Sequence, residues 1–174
     1  MPKDASRTQG RQKTETAFGT HRHDHQRCID DALDKAAELC AGRGARLTEL
    51  RRQVLELVWR SHEPVGAYAV LEQLQRDRGG AAPPTVYRAL DFLIAQGLIH
   101  RIESLNAFVG CPMPDRRHNS QFLICTGCGG VAEIDDPEID IAIARSAENK
   151  GFSVEHLTVE LQGRCPACGG ADAR

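Results

Sequence analysis

Apolar residues that recur three and four positions apart predict four helices in the first half of the chain. Thr48 and Thr85 are placed to act as N-caps of the second and fourth helices, and Gly97 follows the end of the fourth. The apolar positions of the four helices fall within residues 29–40, 50–59, 68–74 and 86–96. The first half of the chain is therefore predicted to be mainly helical.

Two short apolar segments, residues 98–103 and 107–111, follow the fourth helix and predict a β-hairpin. Several short helices that close on a hairpin are typical of a winged helix-turn-helix domain. In such a domain the last helix before the hairpin enters the major groove of DNA. The pattern thus predicts a DNA-binding domain over residues 27–111.

The pattern changes after the hairpin. Residues 112–120 are polar and contain two prolines, which is typical of a hinge between domains. A strand, a second strand, a helix and a third strand follow at residues 122–125, 131–134, 137–150 and 153–161. We therefore expect an α+β protein with a second, small α/β domain over residues 121–170. Residues 1–26 and 171–174 are predicted to be tails, the first of them polar and mobile.

Four of the seven cysteines form two Cys-x-x-Cys pairs, Cys125 with Cys128 and Cys165 with Cys168. The odd total and the lack of a secretory signal argue against a disulfide framework. Two residues between cysteines let one tight turn direct both thiolates to the same ion, and four thiolates suit tetrahedral Zn²⁺. Such a site has no open coordination position, so we interpret it as a structural zinc site. A redox dithiol pair and an iron–sulfur cluster are the alternatives.

Glycine pairs follow both Cys-x-x-Cys pairs, at residues 129–130 and 169–170, where we expect a Cβ to crowd the sulfurs.

A second candidate metal site lies in the hairpin. If Leu105 and Asn106 form a two-residue loop, His100 lies directly opposite Cys111, with Cβ atoms about 5 Å apart. Either residue alone suits a buried position without function. Together, and next to His118 of the hinge, they favour a shared ion.

Charge and composition limit the partners. The first 103 residues contain 16 Lys and Arg against 14 Asp and Glu, whereas residues 104–174 contain 6 against 10, so an anionic partner would meet the first part. No apolar run approaches the roughly 18 residues of a membrane span, and no signal peptide is present, so we expect a cytoplasmic protein without a membrane partner. Alternate histidines at positions 21, 23 and 25 suit a solvated tail or a loose metal site.

The chain resembles the ferric uptake regulator family in three segments: residues 46–48, 83–93 and 125–129. The resemblance extends over residues 28–168, and residues 97–111 are most similar to the zinc-sensing branch of the family. It implies a zinc-responsive repressor of zinc-uptake genes that binds palindromic operator DNA as a homodimer. The 121–170 domain would form the contact between the two subunits. No small-molecule substrate is expected.

The resemblance also implies site residues. A regulatory zinc would be held by His100, Cys111, His118 and Glu133. With the four-cysteine site this gives two Zn²⁺ per subunit. Tyr68 and Arg88 match family positions that contact the operator, with Arg88 expected in the first turn of its helix. His156 matches a position that sometimes joins a further site.

Other functions remain open from the sequence. Iron-sensing relatives have a His-rich run where this chain has only His118, which argues against an iron or manganese sensor without excluding one. A zinc hydrolase is disfavoured because no general base lies beside an open coordination position, and no phosphate-binding loop or nucleophile elbow is present. We therefore expect no catalytic residues. A thiol switch that uses Cys28, Cys40 or the Cys-x-x-Cys pairs is the third alternative.

Overall fold

The structure is a computed structural model that describes Phe18 and residues 25–60, 63–78, 82–116 and 118–169. The expected C-terminal tail, His21, His23 and all but three residues of the expected N-terminal tail lie outside these ranges. His25 and Gln26, which we placed in that tail, instead open the first helix. The predicted α+β fold is confirmed.

The four helices of the first half are present. They are α1 (His25–Gly42), α2 (Glu49–Trp59), α3 (Ala67–Arg78) and α4 (Pro83–Ala95). Thr48 occupies the N-cap of α2 as predicted, although its side chain makes no capping hydrogen bond. The N-cap prediction for Thr85 is wrong: Ala82 holds that position. Prolines open α4, because their fixed φ suits the first turn, where an N–H is not needed.

The first sheet consists of β1 (Val65–Gly66), β2 (Ile99–Ile102) and β3 (Ala107–Gly110), in the order β1-β3-β2. The short strand β1 was not predicted. We call β2, β3 and the turn between them, residues 99–110, the wing hairpin.

The predicted register of this hairpin is wrong. Ile102 pairs with Ala107, and His100 pairs with Val109 rather than Cys111. The loop has four residues instead of two, because a 3-10 turn over Glu103–Leu105 (the wing turn) precedes Asn106, whose φ is 47°. Cys111 lies just beyond β3, where its N–H donates to the carbonyl of Leu98.

The two faces of the wing hairpin have different partners. Ile99 and Phe108 point into the helical core formed by α1 to α4. On the same side, Gly110 lies against the Trp59 indole, and a Cβ there would overlap the ring. The opposite face carries His100 and Ile102 and points away from the helices.

The second sheet consists of β4 (Ser120–Cys125), β5 (Val131–Ile134) and β6 (Thr158–Gly163), with β4 in the centre. Strand β5 pairs antiparallel with β4 and β6 pairs parallel to it. The helix α5 (Pro137–Glu148) lies between β5 and β6 in sequence, and the short helix α6 (Pro166–Gly169) follows β6. The last strand therefore begins five residues later than predicted, and β4 begins two residues earlier.

The two sheets contact each other through a small buried cluster. Ile102 of the wing hairpin packs with Phe122 and Ile124 of β4, and Val109 and Val131 flank them. Ile102 and Phe122 are fully buried. The outer face of the wing hairpin is thus covered by the second sheet. Among the helices in the described part of the chain, none is long and apolar enough to cross a membrane.

Candidate metal centres and DNA-binding surface

Cys125, Cys128, Cys165 and Cys168 come together as predicted. Their four sulfurs lie within 4.8 Å of one another, and we call this group the four-cysteine cluster. It joins the turn after β4 to the turn after β6. Cys125 and Cys165 are buried, whereas Cys128 is exposed. Two segments that lie 40 residues apart are therefore connected at one end of the second sheet.

Backbone amides hold a negative charge on the Cys125 sulfur. The N–H groups of Cys165 and Gly127 donate to it at 3.3 and 3.4 Å. These bonds, that from Cys165 first, lower the pKa of Cys125 to about 6. Hydrogen bonds from the neighbouring thiols, Cys165 first, raise the pKa of Cys168 to about 12. The Cys125 thiolate is thus favoured even before an ion displaces the protons of the other thiols.

The expectation about the glycine pairs needs correction. No sulfur lies within 4 Å of a Cβ built on Gly129 or Gly169, whereas one built on Gly130 would lie 3.4 Å from Cys128 Sγ. Gly129 is required instead by its φ of 74°. The crowded glycine is Gly127, where a Cβ would lie 2.8 Å from the Cβ of Cys168.

A second cluster lies where the wing hairpin, the hinge and the second sheet meet. The ligand atoms of His100, Cys111, His118 and Glu133 also lie within 4.8 Å of one another, and we call this group the regulatory cluster. His118 Nε2 is at its centre, 3.6 Å from Cys111 Sγ, 3.2 Å from His100 Nε2 and 2.8 Å from Glu133 Oε1. His100 Nε2 lies 3.1 Å from the same carboxylate oxygen.

Hydrogen bonds at the outer ring nitrogens orient both imidazoles. The Nδ1–H of His118 donates to the carbonyl of Arg116 at 3.1 Å, which directs its Nε2 toward the cluster. His100 Nδ1 shares a 3.0 Å hydrogen bond with the Ser120 hydroxyl. Sequence reasoning did not identify Ser120 or the Arg116 carbonyl. Their proximity to His118 in sequence was the only available signal.

The distances that involve sulfur and nitrogen are close to those around a tetrahedral ion in both clusters, whereas Glu133 Oε1 lies at hydrogen-bond distance from the two imidazoles. Zinc bonds of about 2.3 Å to sulfur and about 2.0–2.1 Å to nitrogen place neighbouring ligand atoms about 3.3–3.8 Å apart. Cys128 Sγ and Cys165 Sγ are 3.9 Å apart, and the sulfur–nitrogen and nitrogen–nitrogen distances of the regulatory cluster are 3.6 and 3.2 Å.

The regulatory cluster also contains a carboxylate oxygen that the described part of the protein leaves unsatisfied. Glu133 Oε2 is buried and has no hydrogen-bond partner among the described residues. Burial first, and then the nearby Glu133 carboxylate, raise the pKa of Cys111 to about 12. A cation bound here would satisfy the lone pairs and the carboxylate together, so the residues present fit a zinc ion.

The hinge forms ion pairs and a hydrogen bond with the parts of the fold on both sides of it. Lys35 of α1 pairs with Asp115 at 3.5 Å, and Arg43 donates to the carbonyl of Pro114 at 3.0 Å. On the other side, Arg116 pairs with Asp135 after β5. These contacts set the position of His118 two residues further on.

The predicted DNA-contacting residues lie on the surface of the helical part. Tyr68, the second residue of α3, is 74% exposed. Arg88 is exposed on α4, in its second turn rather than the first, because the helix starts at Pro83. Tyr87, beside it, is 44% exposed. Tyr68 is therefore not part of the helical core.

The remaining candidate residues lie apart from both clusters. His156 Nε2 is 3.1 Å from the Thr158 hydroxyl. Cys40 is buried in the helical core, and burial raises its pKa. Cys28 is half-buried on α1. His25 Nε2 lies 2.8 Å from the carbonyl of Arg60.

A helical wing domain joined by a hinge to a small sheet, with one cluster of metal-ligating groups at the joint, defines a winged-helix metalloprotein. The chain belongs to the ferric uptake regulator family, whose family model matches residues 42–162. It is similar to the zinc uptake regulation protein of Escherichia coli (strain K12), with 39% identity over 139 residues that cover 79% of this chain and 81% of that protein.

Solved structures give the same result. A zinc uptake regulator complexed with zinc and DNA has a TM-score of 0.77 and 38% identity, covering 80% of this chain and 94% of that chain. The crystal structure of holo XcZur has a TM-score of 0.75 and 39% identity, covering 82% and 99%. The resemblance found in the sequence is therefore confirmed.

Proposed function

We propose that this protein is a zinc-responsive transcriptional repressor of zinc-uptake genes, active in the cytoplasm as a homodimer with two zinc ions per subunit. The observation that carries the proposal is the regulatory cluster. Its four ligands come from three parts of the fold: His100 and Cys111 from the wing hairpin and its end, His118 from the hinge, and Glu133 from β5.

This arrangement connects metal binding to domain geometry. When bound, zinc supplies one positive centre that all four side chains can share. His100 and Glu133 then hold the wing hairpin against the second sheet, and His118 fixes the hinge between them. The helical core moves with the wing hairpin, because Ile99 and Phe108 are part of it. The regulatory cluster thereby favours one orientation of α4 relative to the second sheet.

The donor set favours zinc over a harder ion. Two imidazole nitrogens, one thiolate and one carboxylate suit the borderline-soft character of Zn²⁺, whereas Fe²⁺ and Mn²⁺ sites are richer in oxygen and nitrogen. The relatives described as zinc uptake regulation proteins support the same ion. All four ligands come from the protein, which leaves no open position for a hydrolytic water, so we do not propose an enzyme.

The four-cysteine cluster has a structural role in this proposal. The second sheet has few fully buried large side chains, Phe122 among them, and no residue of α5 is buried. A unit of this size needs a staple or a partner. A zinc ion on four thiolates would supply the staple, and its closed coordination suits that role.

A second copy of the chain would supply the partner. Three large apolar side chains of this unit are exposed: Ile141 of α5 (56%), Phe152 between α5 and β6 (67%) and Leu161 of β6 (46%). Large apolar side chains exposed this far on one small unit are typical of an interface. We propose that this unit, over residues 121–170, forms a symmetric homodimer. In each subunit the 112–120 hinge would connect it to the 27–111 domain.

The two DNA-binding domains of the dimer would then reach successive major grooves of a palindromic operator. Arg88 is placed to contact a base edge or a phosphate, and Tyr68 a thymine methyl or a phosphate. Zinc affinity and operator affinity must be coupled in both directions, since each ligand favours the same arrangement.

The test is an operator-binding titration of the dimer before and after a mild chelator has removed one zinc per subunit. We expect the regulatory ion to leave first, because four thiolates hold zinc more firmly, and operator affinity to fall while the dimer remains. Titration with Fe²⁺ and Mn²⁺ is the control for ion identity. Unchanged operator affinity after loss of that one zinc would refute the proposal.

A further inference from the structure

A carboxylate of the second sheet, which belongs to neither metal cluster, contacts the tip of the wing hairpin. Glu160 Oε1 accepts the N–H of Glu103 at 2.7 Å, and Glu160 Oε2 accepts the N–H of Ser104 at 3.1 Å. These are the first two residues of the wing turn. Glu160 belongs to β6, more than fifty residues further along the chain.

The wing turn is preformed to present these two amides. Arg101 donates to the side chain of Asn106 at 3.0 Å and pairs with the carboxylate of Glu103 at 3.3 Å. The Asn106 N–H closes the turn on the carbonyl of Glu103. Since the turn is braced from within, its outward N–H groups meet Glu160 without further ordering.

The contact is charge-assisted. Partial burial raises the pKa of Glu160, but hydrogen bonds from the Ser104 hydroxyl and from the amides of Glu103 and Ser104 outweigh it, so the pKa is lowered. A carboxylate that accepts several N–H and O–H bonds is ionised at neutral pH, and such bonds are about twice as strong as neutral ones.

Register explains why Glu160 reaches the wing. Glu160 pairs with Phe122, and Phe122 pairs with Glu133, so all three side chains point to the same face of the second sheet. That face contacts the wing hairpin at three places along its length: Glu133 reaches His100 near the base, Phe122 packs in the middle and Glu160 binds the tip.

We propose that Glu160 is a positioning residue that latches the wing turn to the second sheet and so stabilises the DNA-binding arrangement. The inference rests on the proposed function, because it assumes that this arrangement binds the operator. The contact exists only when the wing hairpin is docked, so its loss shifts the equilibrium away from the docked state. The wing tip serves as a contact between domains, and its amides are not available to DNA phosphates.

The variants Glu160→Gln and Glu160→Ala test the latch in the full-length dimer. Gln keeps one acceptor oxygen and Ala none, so the effect should increase in that order. Glu155→Gln is the matched control, because Glu155 is exposed and its substitution removes the same charge. We expect the zinc concentration for half-maximal operator binding to rise about ten- to a hundredfold in the Glu160 variants, the range for loss of a charge-assisted hydrogen bond.

Amide hydrogen exchange at Glu103 and Ser104 gives a readout independent of DNA. We expect faster exchange at both amides in the Glu160 variants, with zinc content and dimerisation as in the wild type. Unchanged exchange would show that the latch does not exist. Tighter operator binding in the variants would overturn the inference in another way, because the wing amides would then be binding DNA. If the wild type itself shows no zinc response, the proposed function fails. The exchange rates at Glu103 and Ser104 would still show whether Glu160 holds the wing turn.

Discussion

Replacing Cys111 by serine should separate zinc sensing from folding. Cys111 supplies the only sulfur of the regulatory cluster, 3.6 Å from His118 Nε2. Serine has a shorter side chain, and its hydroxyl does not ionise in the accessible pH range, so the fourth ligand is lost. The helical core does not include Cys111, and the wing hairpin keeps its contact through Ile102.

The expected magnitudes differ widely between metal affinity and stability. Loss of an outer-shell partner already costs about 10–100-fold in metal affinity, so loss of a direct ligand should cost at least about 100-fold, or about 2.7 kcal/mol. The fold should lose only about 1 kcal/mol, typical of a single substitution that opens no large cavity. Cys111→Ser should therefore be a folded dimer that no longer gains operator affinity when zinc is added.

Cys125→Ser is the matched comparison, because it removes one sulfur from the other cluster. A structural zinc contributes on the order of 10 kcal/mol to folding, whereas burying a side chain such as Phe122 contributes about 1.5–3 kcal/mol. The second sheet lacks a core large enough to replace the zinc. We expect loss of the dimer and of thermal stability in Cys125→Ser.

Analytical ultracentrifugation, thermal melting and zinc titrations of operator binding measure these outcomes. A monomeric Cys111→Ser, or a dimeric Cys125→Ser with an intact zinc response, would mean that the structural and regulatory roles have been assigned to the wrong clusters.

Two further predictions concern DNA contact and pH. Arg88→Ala should weaken specific operator binding by about 1–3 kcal/mol with zinc content and dimerisation unchanged; an equal loss on nonspecific DNA, in a competition assay, would limit Arg88 to a phosphate contact. Because burial and Glu133 raise the pKa of Cys111 to about 12, the metal-free site keeps its thiol proton at neutral pH and zinc must displace it. Affinity at the regulatory site should thus rise about tenfold per pH unit between pH 7 and 8 from this group, measured by competition with a chelator, and Cys111→Ser should lose that slope.

The local elements could be predicted from the sequence because local patterns determine them. Apolar spacing predicted α1 to α4, and two Cys-x-x-Cys pairs predicted the four-cysteine cluster without knowledge of the fold. The start of α4 was missed, because the capping preference of Thr85 competed with prolines that suit the first turn better. Propensity alone does not rank two such local signals.

The regulatory cluster shows how a wrong register can still bring the predicted residues together. The predicted pairing of His100 with Cys111 is wrong by two residues. A shift of two keeps each side chain on the same face of the sheet, whereas a shift of one would have moved it to the other. His100 and Cys111 therefore remain diagonal neighbours, and Val109 occupies the position directly opposite His100.

The docking of the second sheet onto the wing hairpin could not be predicted from local patterns. The burial of Ile102 against Phe122, the hydrogen bond between Ser120 and His100 and the contact of Glu160 with the wing turn join segments far apart in sequence. Local periodicity shows which face of a strand is apolar, but the choice of partner depends on the packing of whole faces. The four helices of the first half, most of the strands and the two Cys-x-x-Cys turns thus follow from the amino-acid order alone, whereas packing between the two sheets decides how the metal-ligating side chains meet.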